Sequence, residues 1–172
     1  KGNLGVNTYK LLMAALTAFT RNNSIEDLKN NSLNLDVLIP LEEYCCLCGN
    51  KSVIEQPKRT IEEQEKEAKR VRIAKKNERA RIRKDLDVLR YAEIEWTETN
   101  KRFKDNYKIP VIGARGIIDD FITMKIDPTF AEFLVQTPIN NFSTRLFLID
   151  ARNPTALEIA IKLNTHYFID NN

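Results

Sequence analysis

The residues between Lys66 and Lys84 are the ones whose type and spacing could do something chemical. This stretch, "KEAKRVRIAKKNERARIRK", holds ten Lys or Arg against two Glu, a local charge of +8 inside a chain of net +3, so everything else sums to −5. A cationic run on an otherwise acidic body is the footprint expected of a polyanion-binding element. The competing reading is a solvated helix face whose charges only keep it in water. Acidic residues Glu62, Glu63, Glu65 and Glu67 lie at its start and the cations follow. That order suits a helix dipole, and the spacings Glu62–Lys66 and Glu65–Lys69 suit i,i+4 pairing. Ten cations on about five turns nevertheless repel one another unless something neutralises them.

Other candidate chemistry is sparse. Cys45, Cys46 and Cys48 are clustered and odd in number, with no second cysteine pair elsewhere. They form no disulfide framework, and the lone His166 does not complete a four-ligand zinc site, so no metal is expected. They read as small buried hydrophobes, and reduced thiols suggest a cytoplasmic protein. His166 has no partner that would make it a general base. Asp119–Asp120 and Glu42–Glu43 are adjacent carboxylates that point apart, and Asp119 and Asp120 read as charges protecting the edge of a strand. The five glycines form no phosphate-cradling loop, and no nucleophile-elbow, zincin or Walker pattern occurs. No enzyme, cofactor or small-molecule substrate is expected. No apolar run approaches a membrane span.

These residues need elements to hold them. A helix is expected from Tyr9, capped by Asn7 or Thr8, with Leu11, Leu12, Ala15, Leu16 and Phe19 on one face. "LNLDVLIP" alternates as a strand that Pro40 ends. "LEEYCCLCG" reads as a short helix stopped by Gly49 in the left-handed region. Thr60-x-x-Glu63 is a capping box opening a long helix, expected to run from Ile61 to Trp96 because no Gly or Pro interrupts it. Ile82, Leu86, Leu89 and Trp96 form its core stripe, whereas residues 58–81 lack a continuous apolar face and read as a projecting basic arm. Two strands are expected around a turn at Gly113–Gly116, placing Arg115 at its tip. A short helix over "PTFAEFLVQ", strand character at 146–149 with a helical turn as the alternative, and a last helix with Leu157 and Leu163 inward complete the chain. Tyr9, Leu12 and Leu157 are expected in the core.

Helix, strand, short helix, long helix and then a two-stranded ribbon is the element order of an α+β winged helix-turn-helix, here with an extended basic helix and a two-stranded wing. The chain reads as one such domain over residues 1–172, or as a piece of a longer two-domain protein. In that arrangement Lys69, Arg72, Lys75, Lys76, Arg79, Arg81, Arg83 and Lys84 would meet double-stranded DNA, with Arg115 as the wing contact. Aromatics do not interleave with the cations, which argues against a stacking platform for single strands.

The segments "NTYKLLMAAL", "VLIPLEEYCCLCG", "RIRKDLDVLRYAEIEW", "GIIDDFITMKIDPTFAEFL" and "STRLFLIDARNPTALEIAIKLNTHYF" together resemble the first winged-helix domain of iteron-type plasmid replication initiators. The resemblance implies tandem winged helices on origin repeats, with the first domain contributing homodimerisation and backbone contacts. A winged-helix transcriptional regulator is an alternative. A protein-interaction module, whose long helix pairs with a partner or its own copy, is another.

Overall fold

The computed structural model describes residues 4–99, 104–136, 144–150 and 152–169; for residues 94–99, 104–107, 144 and 164–169 that description covers backbone alone. The order of elements is α1 (Val6–Asn22), α2 (Ile25–Lys29), β1 (Asp36–Pro40), α3 (Leu41–Leu47), α4 (Ile61–Leu89), β2 (Glu93–Thr99), β3 (Lys104–Pro110), β4 (Ile112–Ile118), β5 (Phe121–Ile126), α5 (Pro128–Gln136), a 3-10 helix (Thr144–Leu148) and α6 (Pro154–Ile169). The fold is α+β. One antiparallel sheet has the order β1–β5–β4, and β2 with β3 forms a separate hairpin.

Caps decide most helix starts. Helix α4 opens on the anticipated box: the Glu63 amide donates to Thr60 Oγ1 at 3.3 Å, and the Thr60 amide donates to Glu63 Oε2 at 3.3 Å. Helix α2 repeats the device with Ser24 and Asp27. Helix α1 begins three residues earlier than the Asn7 or Thr8 cap implied, at Val6 after Gly5, with no side-chain cap. The Thr8 hydroxyl is instead turned to α4, donating to Asp85 Oδ1 at 2.8 Å. Helix α3 ends as expected at Gly49, whose φ of 79° is open to a residue without Cβ.

The core lies between the sheet, α1, α4 and α5. Leu11, Ala15 and Phe19 of α1 meet Ile82, Leu86 and Leu89 of α4, with Val37, Ile39, Ile122, Met124 and Ile126 from the sheet and Phe130 from α5. Tyr9 and Leu12 pack at its margin, and Leu157 is buried. Leu163, expected inward, is exposed, because α6 packs chiefly on the 3-10 helix near its own start.

Three expectations about local structure are overturned. Helix α4 stops at Leu89, and Trp96 lies on β2 in register with Tyr107. "AEIEWTET" alternates apolar and polar residues, and a hairpin partner at 104–110 gives that period-two pattern its ladder. Second, Gly113 and Gly116 are not a turn. They lie within β4, where the register shifts between Ile112 and Arg115, and the hairpin turns instead at Asp119–Asp120. Asp119 takes φ 52°, a conformation that Asp tolerates better than most residues. Third, the strand reading of residues 146–149 gives way to the helical-turn alternative: the 3-10 helix covers most of them. His166 lies on α6, with its side chain outside the described residues.

Candidate nucleic-acid interface

Helix α4 positions nearly every cation in question. Its 29 residues extend about 43 Å at 1.5 Å per residue. Ile82, Leu86 and Leu89 fix its C-terminal half to the core and so fix which face looks outward. Positions 69, 72, 76 and 83 recur at i, i+3, i+7 and i+14, one side of a 3.6-residue helix, and 84 flanks them. Lys69, Arg72, Lys76, Arg83 and Lys84 are all exposed, and none makes an ion pair among the described residues. The stripe from Lys69 to Lys84 is about 22 Å long. Ile73, half exposed, sits in it, with Asn77 and Ala80 as its other outward residues. Acidic groups bound it at both ends: Glu62 paired with Lys66 at 2.6 Å, and Asp87 paired with Arg115 at 2.9 Å.

The other four expected contacts are turned to the protein itself. Lys75 Nζ lies 2.6 Å from Glu42 Oε1 and 2.9 Å from Asp120 Oδ2. The hydrogen bonds it donates to Glu42 and then to Asp120 raise its pKa, so it stays cationic. Arg79 donates to the Asp119 carbonyl at 3.1 Å and to the Asp120 carboxylate. The Lys75 hydrogen bond, helped by Arg79, holds the Asp120 carboxyl below its ordinary range against the opposing effect of burial. Arg81 faces inward, giving Nε and a terminal nitrogen to Glu78 Oε2 at 2.9 and 2.6 Å. Arg115 is not at a tip: it stands in the middle of β4 beside α4.

The adjacent carboxylates at 119 and 120 therefore do not guard a strand edge. They form a turn that α4 grips, and the Leu41 amide donates to the Asp120 carbonyl at 2.7 Å, tying the same turn to the start of α3. Glu42 and Asp120 as counter-charges were not foreseen, though Asp-Asp between two apolar β runs is itself a turn signal.

Beneath Arg81 is a buried polar cluster. Glu78 also accepts from Asn50 Nδ2 at 3.0 Å. Burial raises the pKa of Asp85, and one of its carboxylate oxygens is buried without a hydrogen-bond partner. Cys45 lies in the same region, fully buried, its thiol pushed up to about 12 by burial and then by the Glu78 charge. The cysteines are free.

The segment expected to project as an arm is held over part of its length. Buried Glu67 accepts from the Gln56 amide at 3.0 Å and from Arg70, and Arg70 donates to the carbonyls of Ser52 and Ile54 at 3.0 and 3.2 Å. The Arg70 hydrogen bonds, then the Gln56 amide, hold the Glu67 carboxyl down at about 2. Val53, fully buried, and Val71 add apolar contact area to the junction. The loop over residues 50–56 thus splints α4 where the sequence offers no apolar face.

No described group of side chains could hold a metal ion, and no described helix is long and apolar enough to cross a membrane. No family model, no curated protein and no solved structure matches the chain.

Proposed function

We propose that this is a non-enzymatic, double-stranded-DNA-binding domain that lays the outer face of α4 in the major groove. The observation that carries the reading is the one-sided stripe of five unpaired cations, Lys69, Arg72, Lys76, Arg83 and Lys84. A solvated face would mix signs; this one is uninterrupted by carboxylates for about four turns. The major groove admits an α-helix, and phosphates on its two walls suit cations flanking a neutral centre such as Ile73, Asn77 and Ala80.

The connectivity supports a winged-helix reading. Helix, strand, short helix, long helix and hairpin follow in order, with β1 pairing β5 across from β4. On that reading β4–β5 is the wing, and β2–β3 is inserted between the recognition helix and the wing. The resemblance to plasmid replication initiators narrows the proposal to an origin-binding, homodimeric initiator domain acting in the cytoplasm; a transcriptional regulator would need the same face.

Fluorescence anisotropy with a random-sequence duplex over a salt series tests this. Five phosphate contacts predict a slope of log affinity against log salt of about −4.5. Absence of binding at low salt would sink the proposal. A tight self-associated state without DNA binding would instead assign the stripe to a protein partner.

A further inference from the structure

Beside the outer stripe, α4 borders a groove lined by Glu55, Ala68, Val71, Arg72, Lys75 and Arg79. Ala68 and Val71 are its apolar lining, and three of its six lining residues are cations. Two of those cations are engaged by carboxylates from elsewhere in the chain, Glu42 and Asp120. The third, Arg72, has no such partner and also belongs to the stripe. Arg79 has its Nε buried with no hydrogen-bond partner, although its terminal nitrogen is bonded. Its donors are thus incompletely matched by the groups now beside it.

We propose that this groove is a second phosphodiester site for duplex DNA, held closed by Glu42 and Asp120, whose carboxylates stand in for phosphate oxygens on Lys75 and Arg79. The proposal rests on the DNA reading and adds to it a built-in competitor. Carboxylate and phosphate both present oxygens to an ammonium or a guanidinium at hydrogen-bond distance. The turn that carries Asp120 is placed to do this by backbone contacts that do not involve its carboxylate: the two-residue hairpin between Ile118 and Phe121, and the bond from the Leu41 amide to the Asp120 carbonyl. The side chain can be released without unmaking the turn. Glu42, half exposed on the first turn of α3, can swing into water. A DNA strand running along the stripe past Arg72 would reach Lys75 and Arg79 next, with its phosphates displacing the two carboxylates.

The test uses the full chain and a fluorescein-labelled random duplex, with anisotropy over a salt series. The variants are Glu42→Gln, Asp120→Asn and the two combined. Both replacements keep the shape while removing the charge and turning one acceptor oxygen into a donor NH2. Each cation released to a phosphate steepens the log–log salt slope by about 0.9. The double variant is therefore expected to steepen it by between about 1 and 2, with DNA bound about three- to tenfold more tightly near 100 mM salt. A second double variant, Glu132→Gln with Glu158→Gln, removes the same charge from exposed positions on α5 and α6 outside the groove. It is expected to leave the slope unchanged.

Unchanged or shallower slopes in both Glu42→Gln and Asp120→Asn would overturn the proposal and leave the outer stripe intact as the DNA face. An equal rise in the remote control would overturn it too, since net charge alone would then explain the effect. Binding by the variants but not by the unaltered chain would overturn it as well, because the outer stripe that the groove is said to extend would then not hold DNA. No binding by any of them would remove the DNA reading itself. Should Asp120→Asn prove unstable to heat, Glu42→Gln alone decides, because its side chain is half exposed.

Discussion

Arg81 and Arg83 are two residues apart on one helix, and they should respond to the same substitution in opposite assays. Arg83 is exposed and unpaired, whereas Arg81 reaches inward to Glu78 with two hydrogen bonds. Replacing Arg83 and Lys76 together by Gln removes two of five free cations. The salt slope should fall from about −4.5 to about −2.7. Between 50 and 200 mM salt, affinity would then drop about 40-fold rather than about 500-fold. Urea denaturation should scarcely register the change, since surface substitutions away from special contacts stay within about 0.5 kcal/mol. Arg81→Gln should do the reverse. Glu78 would keep only Asn50 and the Cys45 thiol as donors, and Asp85 would lose the guanidinium that lies 3.8 Å from its Oδ2. Leaving such charge-assisted bonds unmade costs about 2 kcal/mol, given that the Arg81 side chain is 31% exposed. Its salt slope should match that of the unaltered chain. If the double variant kept its slope, or if Arg81→Gln flattened the slope as much, the assignment of outer cations to DNA and inner ones to the fold would be wrong.

Leu89→Ala, at a fully buried site between α4 and the core, should destabilise the protein by about 3 kcal/mol in urea denaturation. A loss below about 1 kcal/mol would show that the end of α4 is not anchored there. The Glu67 carboxyl is held at about 2 against an ordinary value of 4.5, so the unfolded chain binds its proton first as pH falls. Its stabilisation is complete above about 4.5 and is lost as pH falls towards 2, so Glu67→Gln should flatten the acid limb of a stability-versus-pH curve in that window. Asp85, shifted upward by burial, acts with the opposite sign from its ordinary 3.8 upward, and Asp85→Asn should make stability rise more steeply with pH just above that value. Cys45, buried with a thiol at about 12, should escape iodoacetamide at pH 8 in the folded protein and react only after denaturation, which peptide mass mapping would detect.

Much of this architecture was readable in the sequence where a local rule governs it. The Thr60 box, the Gly49 stop, the helix after Asp127 and the alternation of β1 depend on residues within four positions of one another. The end of α4 was not readable, because no Gly or Pro marks it. What decides between helix and strand at 93–99 is a partner strand that begins five residues on and pairs Glu93 with Pro110. Gly113 and Gly116 misled because glycine marks a bulge or a close approach within a strand as readily as a turn. The outward face of α4 follows from the core positions Ile82, Leu86 and Leu89, so Lys76 and Arg83 could be placed from spacing. That Lys75 and Arg79 are taken up by Asp120 could not be, since the partner lies more than forty residues on. Net charge counts such pairs as though both members were free.

The β2–β3 hairpin leaves and rejoins the body at a single point. The Val111 amide donates to the Ala92 carbonyl at 3.1 Å, so the two ends of the excursion are already stapled together, and Val111 passes straight on to β4. A segment whose ends meet can be exchanged at small entropic cost, because closing a shorter or longer loop across the same gap changes little. Ile109 is buried in the core and β3 touches α5, so the natural port in this scaffold is the part of the hairpin beyond the Ile94–Ile109 pair. A two-residue turn, an epitope or a fluorescent reporter could be grafted between Ile94 and Ile109, which face each other in the hairpin register, with the core contact of Ile109 kept.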